Sequence, residues 1–207
     1  MNNASKSSAD KIAKSKHSLE KRRAAIMAIK DKIDKNKITE FAIKFQEHVF
    51  YNIKQNTDLA GKILNWKFIE DIGERRKVFE QVTYILASFC PNSIGVRSLT
   101  WDEESTGSEG WYLGHGIFDY GWQYAYRHDF NEILECLTHE VTHMFQESLV
   151  STLSADVVET AYEYYIQPEE DYELYQDNPI EEEANIIARI VARDFVELLN
   201  DALVRRD

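Results

Sequence analysis

Cysteine, proline and long apolar runs are all scarce in this chain. Two cysteines among 207 residues, Cys90 and Cys136, supply no disulfide framework, and a reducing compartment is the simpler expectation. The three prolines each mark a single point: Pro91 closes a predicted helix, Pro168 precedes an acidic loop, and Pro179 suits the first turn of the last helix. No apolar run approaches the roughly 20 residues that would span a bilayer, and no charged-then-apolar leader opens the sequence. A cytoplasmic protein without a transmembrane segment is expected, although a specialised secretion machine would need no such leader. Internal repeats are absent too.

What the chain does have is core material and charge. A hydrophobic fraction of 43%, with 12% aromatic residues, is ample for a packed interior. The length suits one domain of modest size plus an extension. Net charge is −12, but residues 1–37 hold 11 Lys/Arg against 4 Asp/Glu. Such a basic arm on an acidic body can bind nucleic acid or an anionic membrane, or lie against its own body. No aromatic residue is interleaved with those lysines to stack on bases, which disfavours nucleic acid.

Residues 1–8 are small and polar and read as disordered. From Ser8 or Asp10 to about Lys35 the pattern is helical, with Ile12, Leu19, Ile26, Ile29 and Ile33 forming a stripe. Ser15 and Arg22 interrupt the companion positions, so a helix packed on the body is expected rather than a long coiled coil. Further helices are predicted over 38–55 and about 74–89. Six of the eight glycines then fall between Gly95 and Gly121 among aromatic residues. They suggest short strands near 96–101, 111–113 and 117–126, with an exposed acidic loop at 102–109. Asp129 reads as the N-cap of a helix to about Val150, with Glu132 completing a capping box. A tyrosine-rich helix or turn region follows at 155–166, and a final helix at roughly 180–203.

The chemistry sits on the helix that Asp129 opens. His139-Glu140-Val141-Thr142-His143 is an HExxH motif. Residues four apart share a helix face, so both imidazoles can bind one Zn²⁺ from the same side, with Glu140 beside them to act on a water at that ion. Leu134, Leu137 and Val141 lie on the opposite face and anchor it in the core. A catalytic zinc needs a third protein ligand, and Glu181-Glu182-Glu183 at the start of the last helix offers one, although acidic residues there also compensate the helix dipole. Glu181, Ala184, Asn185 and Ala188 share a face. The two alanines permit close approach to the HExxH helix, and Asn185 can accept a hydrogen bond from a ligand imidazole. Glu183 is the alternative ligand. His115 and His128 are the reserves, Cys136 lies one turn before His139, and His17 and His48 read as surface or packing residues.

HExxH followed some forty residues later by Asn178-Pro179-x-Glu181-x-Glu183-Ala184 resembles the zincin metallopeptidases of the Glu-ligand (gluzincin) type. The stretch His139 to Gln146 also resembles an HExxHxxQ variant of small bacterial and phage metallopeptidase domains. The resemblance covers about residues 95–195. It implies His139, His143 and Glu181 as metal ligands, one zinc per chain, Glu140 as general base, and a protein or peptide substrate. Asn185 then stands where the family has an acid, which makes that partner neutral. Substrate backbone would pair with a strand edge around Gly116 to Tyr126. The chemistry also calls for a further donor to the oxyanion; Tyr162, Tyr164, Tyr165, Tyr172 and Tyr175 are all available, and each equally suits packing.

The expectation is therefore an α+β zinc metalloendopeptidase. It has a basic arm over 1–37 and a catalytic domain over 38–207, the latter divided into a helical part (38–92) and a metallopeptidase core (93–203). Its rivals are a binding or regulatory protein with structural zinc, and a helical interaction protein that works through its arm.

Overall fold

Periodic apolar residues set the helical frame. A computed structural model of the chain describes residues 17–102, 110–121 and 129–204. In order, its helices are α1 (Leu19–Ile29), α2 (Lys35–Gln55), α3 (Thr57–Leu64), α4 (Ile72–Ala87), α5 (Phe130–Glu147), α6 (Ala155–Glu163), α7 (Tyr172–Gln176), α8 (Pro179–Ala192) and α9 (Phe195–Val204). Between α4 and α5 lie β1 (Ser98–Asp102), β2 (Gly110–Gly114) and β3 (Ile117–Gly121). The class is α+β, as expected.

Helix α2 shows how pattern becomes packing. Ile38, Ala42, Phe45, Val49 and Ile53 recur at helical spacing and are all fully buried. They meet Phe79 and Val82 of α4, Phe145 of α5, and Ile187 and Val191 of α8 in one core. A second, smaller cluster joins Ile26 and Ile29 of α1 to Val157, Val158 and Ala161 of α6.

The sheet has the order β1-β3-β2, with β1 parallel and β2 antiparallel to β3. Strand β2 is therefore an edge, and it packs against α5. The β2–β3 turn is His115-Gly116, with φ of 56° and 76°, the left-handed pair that a two-residue hairpin needs. A Cβ at Gly116 would lie 2.2 Å from the Gly95 carbonyl oxygen, so only glycine fits there. A register shift between Tyr112 and Gly114 bends the edge strand beside this turn.

Several boundaries differ from expectation. The N-terminal helix does not continue to Lys35. It gives way to a 3₁₀ turn (Lys30–Lys32), and Ile33 is extended because Asp34 caps α2 through the Asn36 and Lys37 amides. Helix α3 was not expected; the Asn56 side chain caps it at the Leu59 amide. The single final helix is two, broken where Asp194 adopts φ of 55°. The expected disorder at 1–8, the start of the first helix, most of the acidic loop and the end of the third strand lie outside the described residues.

The described part of the basic segment lies along acidic residues of its own body. The guanidinium of Arg22 forms a two-pronged pair with Glu170, Arg23 pairs with Asp171, Lys30 with Asp177 and Lys35 with Glu182. The exposed pairs add little each, but Arg22 is buried. Among the described residues no helix is long and apolar enough to cross a membrane.

Candidate metal centre

Helix α5 starts where the Asp129 carboxylate accepts the Glu132 amide at 3.0 Å. Leu134, Leu137, Val141, Met144 and Phe145 anchor one side of it in the core. The other side carries His139, Glu140 and His143. Helix α8 arrives against it in the most extensive helix–helix contact among the described residues, with Ala184 and Ala188 buried along its length. Its start is set by Asn178, whose side chain caps the Ile180 amide, and by Pro179 in the first turn. That start delivers Glu181, only 2% exposed, to the two histidines.

The convergence is tight. The Nε2 atoms of His139 and His143 are 3.0 Å apart, and Oε2 of Glu181 lies 3.4 Å from the first and 3.6 Å from the second. Two ligand atoms at about 2.05 Å from a tetrahedral zinc would be about 3.3 Å apart, so these spacings fit one small ion. Glu181 Oε2 is also buried without a hydrogen-bond donor. Such an atom is costly unless a cation completes it. His139, His143 and Glu181 are thus placed to hold a metal ion.

The electrostatics agree. Burial alone would raise the Glu181 pKa, but His143 and His139 hold it well below the usual carboxylate range. Burial alone would lower His143, but the Glu181 carboxylate pushes it up to about 9. A buried carboxylate here demands a positive charge beside it, from a proton or a metal. Glu140 is raised above its ordinary value by burial, an effect that the two histidines and the Tyr112 amide partly offset.

Gln146 fixes the orientation of one imidazole. Its Nε2 donates to the Ile180 carbonyl at 2.8 Å and to Glu183 Oε2 at 2.9 Å. Its Oε1 is thereby turned to accept from His143 Nδ1 at 2.8 Å. With its proton on Nδ1, neutral His143 presents the Nε2 lone pair to the cluster. Sequence reasoning assigned this role to Asn185. Among the described residues Asn185 makes no hydrogen bond to either imidazole; Gln146, one turn after His143 on the same helix, takes the position.

Glu183, the alternative ligand, is engaged elsewhere. Its Oε1 accepts from the Thr152 amide (2.8 Å) and hydroxyl (2.6 Å), and its Oε2 from the Ser151 hydroxyl (2.6 Å) as well as from Gln146. It clamps the loop that follows α5. Alternate helix faces separate the two acids, Glu181 toward the histidines and Glu183 toward the loop.

Glu140 reaches the sheet instead. Its Oε2 accepts the Tyr112 amide of edge strand β2 at 2.6 Å. Tyr112 is tied a second time, its hydroxyl donating to Glu147. Glu147 also takes the His115 amide at 2.8 Å and lies 3.0 Å from His115 Nδ1. His115 therefore belongs to the hairpin rather than to the metal cluster. Cys136 is not among the converging groups either, and His128 lies outside the described residues. The edge strand beside the site is β2. Of the expected segment from Gly116 to Tyr126, the described part forms β3, the interior strand of the sheet, and residues 122–126 lie outside the described residues.

The cluster opens into a cleft of about 590 Å³ walled by Trp111, Tyr112, Leu149, Val158, Tyr162 and Pro168. Tyr165 and Tyr175 also line it. The Tyr165 hydroxyl donates to Glu181 Oε1 at 2.7 Å, and its ring meets Tyr175 edge-on. Tyr164 turns away to stack on His17, and Tyr172 is largely exposed. Comparison with protein-family models, with curated proteins and with solved structures finds no match to this chain.

Proposed function

We propose that this protein is a zinc-dependent metallopeptidase of zincin type that hydrolyses peptide bonds in a protein or peptide substrate. The observation that carries the reading is the meeting of two imidazole Nε2 atoms with a donorless carboxylate oxygen, beside Glu140 and at the wall of an open cleft. His139, His143 and Glu181 would hold the ion. Zinc bound there supplies Lewis acidity and lowers the pKa of a water toward neutrality. The cleft favours this reading over purely structural zinc, which is usually closed off by four protein ligands.

The chain's own residues do the rest. Glu140 accepts a proton from the attacking water and delivers it to the leaving amine. The Tyr112 amide holds one oxygen of that carboxylate in place and leaves the other for the proton. Tyr165 is committed to Glu181. The remaining cleft phenols are Tyr162, whose hydroxyl makes only a long 3.4 Å bond to the His143 carbonyl, and Tyr175, which also bears on Glu181. Of the two, Tyr162 is the freer to donate to a developing oxyanion. Burial keeps the Tyr162 hydroxyl protonated far into the alkaline range, as a donor must be. Edge strand β2 offers main-chain groups beside Glu140 for an extended substrate.

The test compares the parent protein with Glu140→Gln on a diverse peptide mixture, with cleavage read by mass spectrometry. Glu140→Gln is expected to retain zinc and to lose hydrolysis by about 100-fold or more. Cleavage at an undiminished rate by the variant would overturn the mechanism.

A further inference from the structure

A short chain of contacts joins the basic N-terminal helix to the metal centre. Arg22 is the buried cation of α1, 6% exposed. Its Nη1 and Nη2 grip Glu170 at 2.7 and 2.6 Å, and Nη1 also donates to the Tyr165 carbonyl at 3.0 Å. Tyr165 lies just past the end of α6, outside any helix or strand, and its own amide is only loosely held, 3.5 Å from the Tyr162 carbonyl. What fixes its backbone is thus in large part a residue 143 positions earlier in the chain. At the other end of the side chain, the Tyr165 hydroxyl occupies Glu181 Oε1 and leaves Oε2 alone to face the two imidazoles.

A carboxylate can bind a metal through one oxygen or two, and can swing between them. A phenol donating to Oε1 removes that freedom and selects the one-oxygen attitude, and outer partners of this kind tune metal affinity. We infer that the N-terminal helix is a working part of the metal centre, with Arg22 and Tyr165 as positioning residues that hold Glu181 ready for the ion. This rests on the metal reading of the His139, His143 and Glu181 cluster. It gives the basic segment a role that needs no external partner. The Arg22 fork is suited to it, because a lysine cannot grip Glu170 with two prongs and reach the Tyr165 carbonyl as well.

The experiment is zinc titration of the full-length protein against a chromophoric chelator, for the parent, Arg22→Ala, Tyr165→Phe and the double variant. Urea unfolding of each metal-free protein is followed in parallel. Tyr165→Phe is expected to weaken zinc binding about tenfold, and Arg22→Ala by about three- to tenfold. In the double variant the Arg22 loss should vanish, because Arg22 acts through the Tyr165 hydroxyl. Arg22→Lys should fall between parent and alanine, and replaces Arg22→Ala in the cycle if the latter does not fold. Parent-like affinity, within about twofold, in either single variant would overturn the inference and leave the metal reading standing. Fully additive losses would break the proposed link as well. A parent protein that takes up no zinc would remove both readings together.

Discussion

Replacing Glu183 by alanine separates the two acids that the sequence alone left in competition. The side chain is 1% exposed and receives four hydrogen bonds, from Gln146, Ser151 and both the amide and hydroxyl of Thr152. Hydrogen bonds to a charged group contribute about 1.5–3 kcal/mol each, so a naive sum approaches 10 kcal/mol. Most of that is recoverable. Both hydroxyls can rotate toward water, and Gln146 keeps its bond to the Ile180 carbonyl. What remains is the stranded Thr152 amide, the lost packing and a loosened loop, for a net cost of about 3 kcal/mol. Urea unfolding of the metal-free protein, fitted with a common slope, measures it. Zinc affinity, which Glu183 touches through Gln146 and His143, should fall by about tenfold at most. A destabilisation under about 1 kcal/mol would refute the clamp. Loss of zinc equal to that of Glu181→Ala would show that Glu183 is the ligand.

Three further outcomes follow from the same geometry. Because His143 is raised to about 9, the metal-free protein has its full contribution below the ordinary histidine value of 6.5 and loses it as pH rises through about 9; Glu181, being depressed, contributes above the ordinary carboxylate value and is lost as pH falls. The metal-free urea midpoint should therefore decline from pH 6.5 to beyond 9, and saturating zinc should flatten that decline; an unchanged midpoint without metal would contradict the coupling. Gly116→Ala should destabilise by about 2 kcal/mol or more, since a Cβ there meets the Gly95 carbonyl at a left-handed position, and a loss within about 0.5 kcal/mol would contradict the turn geometry. Tyr162→Phe should lower kcat with little change in KM if its hydroxyl assists the transition state; equal rates would move that role to Tyr175.

Local signals carried most of what was legible before the fold was known. HExxH spacing, the Asp129 cap and the apolar stripe of Leu134, Leu137 and Val141 are all short-range properties of one helix, and Asn178-Pro179 is the same for α8. The common face of Glu181, Ala184 and Ala188 was readable for that reason. Roles set by residues far apart in sequence were not. Thr152 claims Glu183, the Tyr112 amide claims Glu140, and Arg22 holds Tyr165, none of which any periodicity encodes. Gln146 is the exception: three residues after His143 on a buried helix, it was within reach of helical reasoning, and the competing Asn185 drew the assignment away. The break at Asp194 was hidden because apolar periodicity continues on both sides of it, and a left-handed aspartate gives no strong sequence signal.

His139, His143 and Glu181 are placed to hold a single metal ion between two helices. The most direct test is the zinc content of the full-length protein after equilibrium dialysis at micromolar free zinc, beside that of His143→Ala. About one zinc ion per chain is expected in the parent and a small fraction of that in the variant. A parent protein without zinc, or a variant that binds it equally well, would contradict a metal site at these three residues.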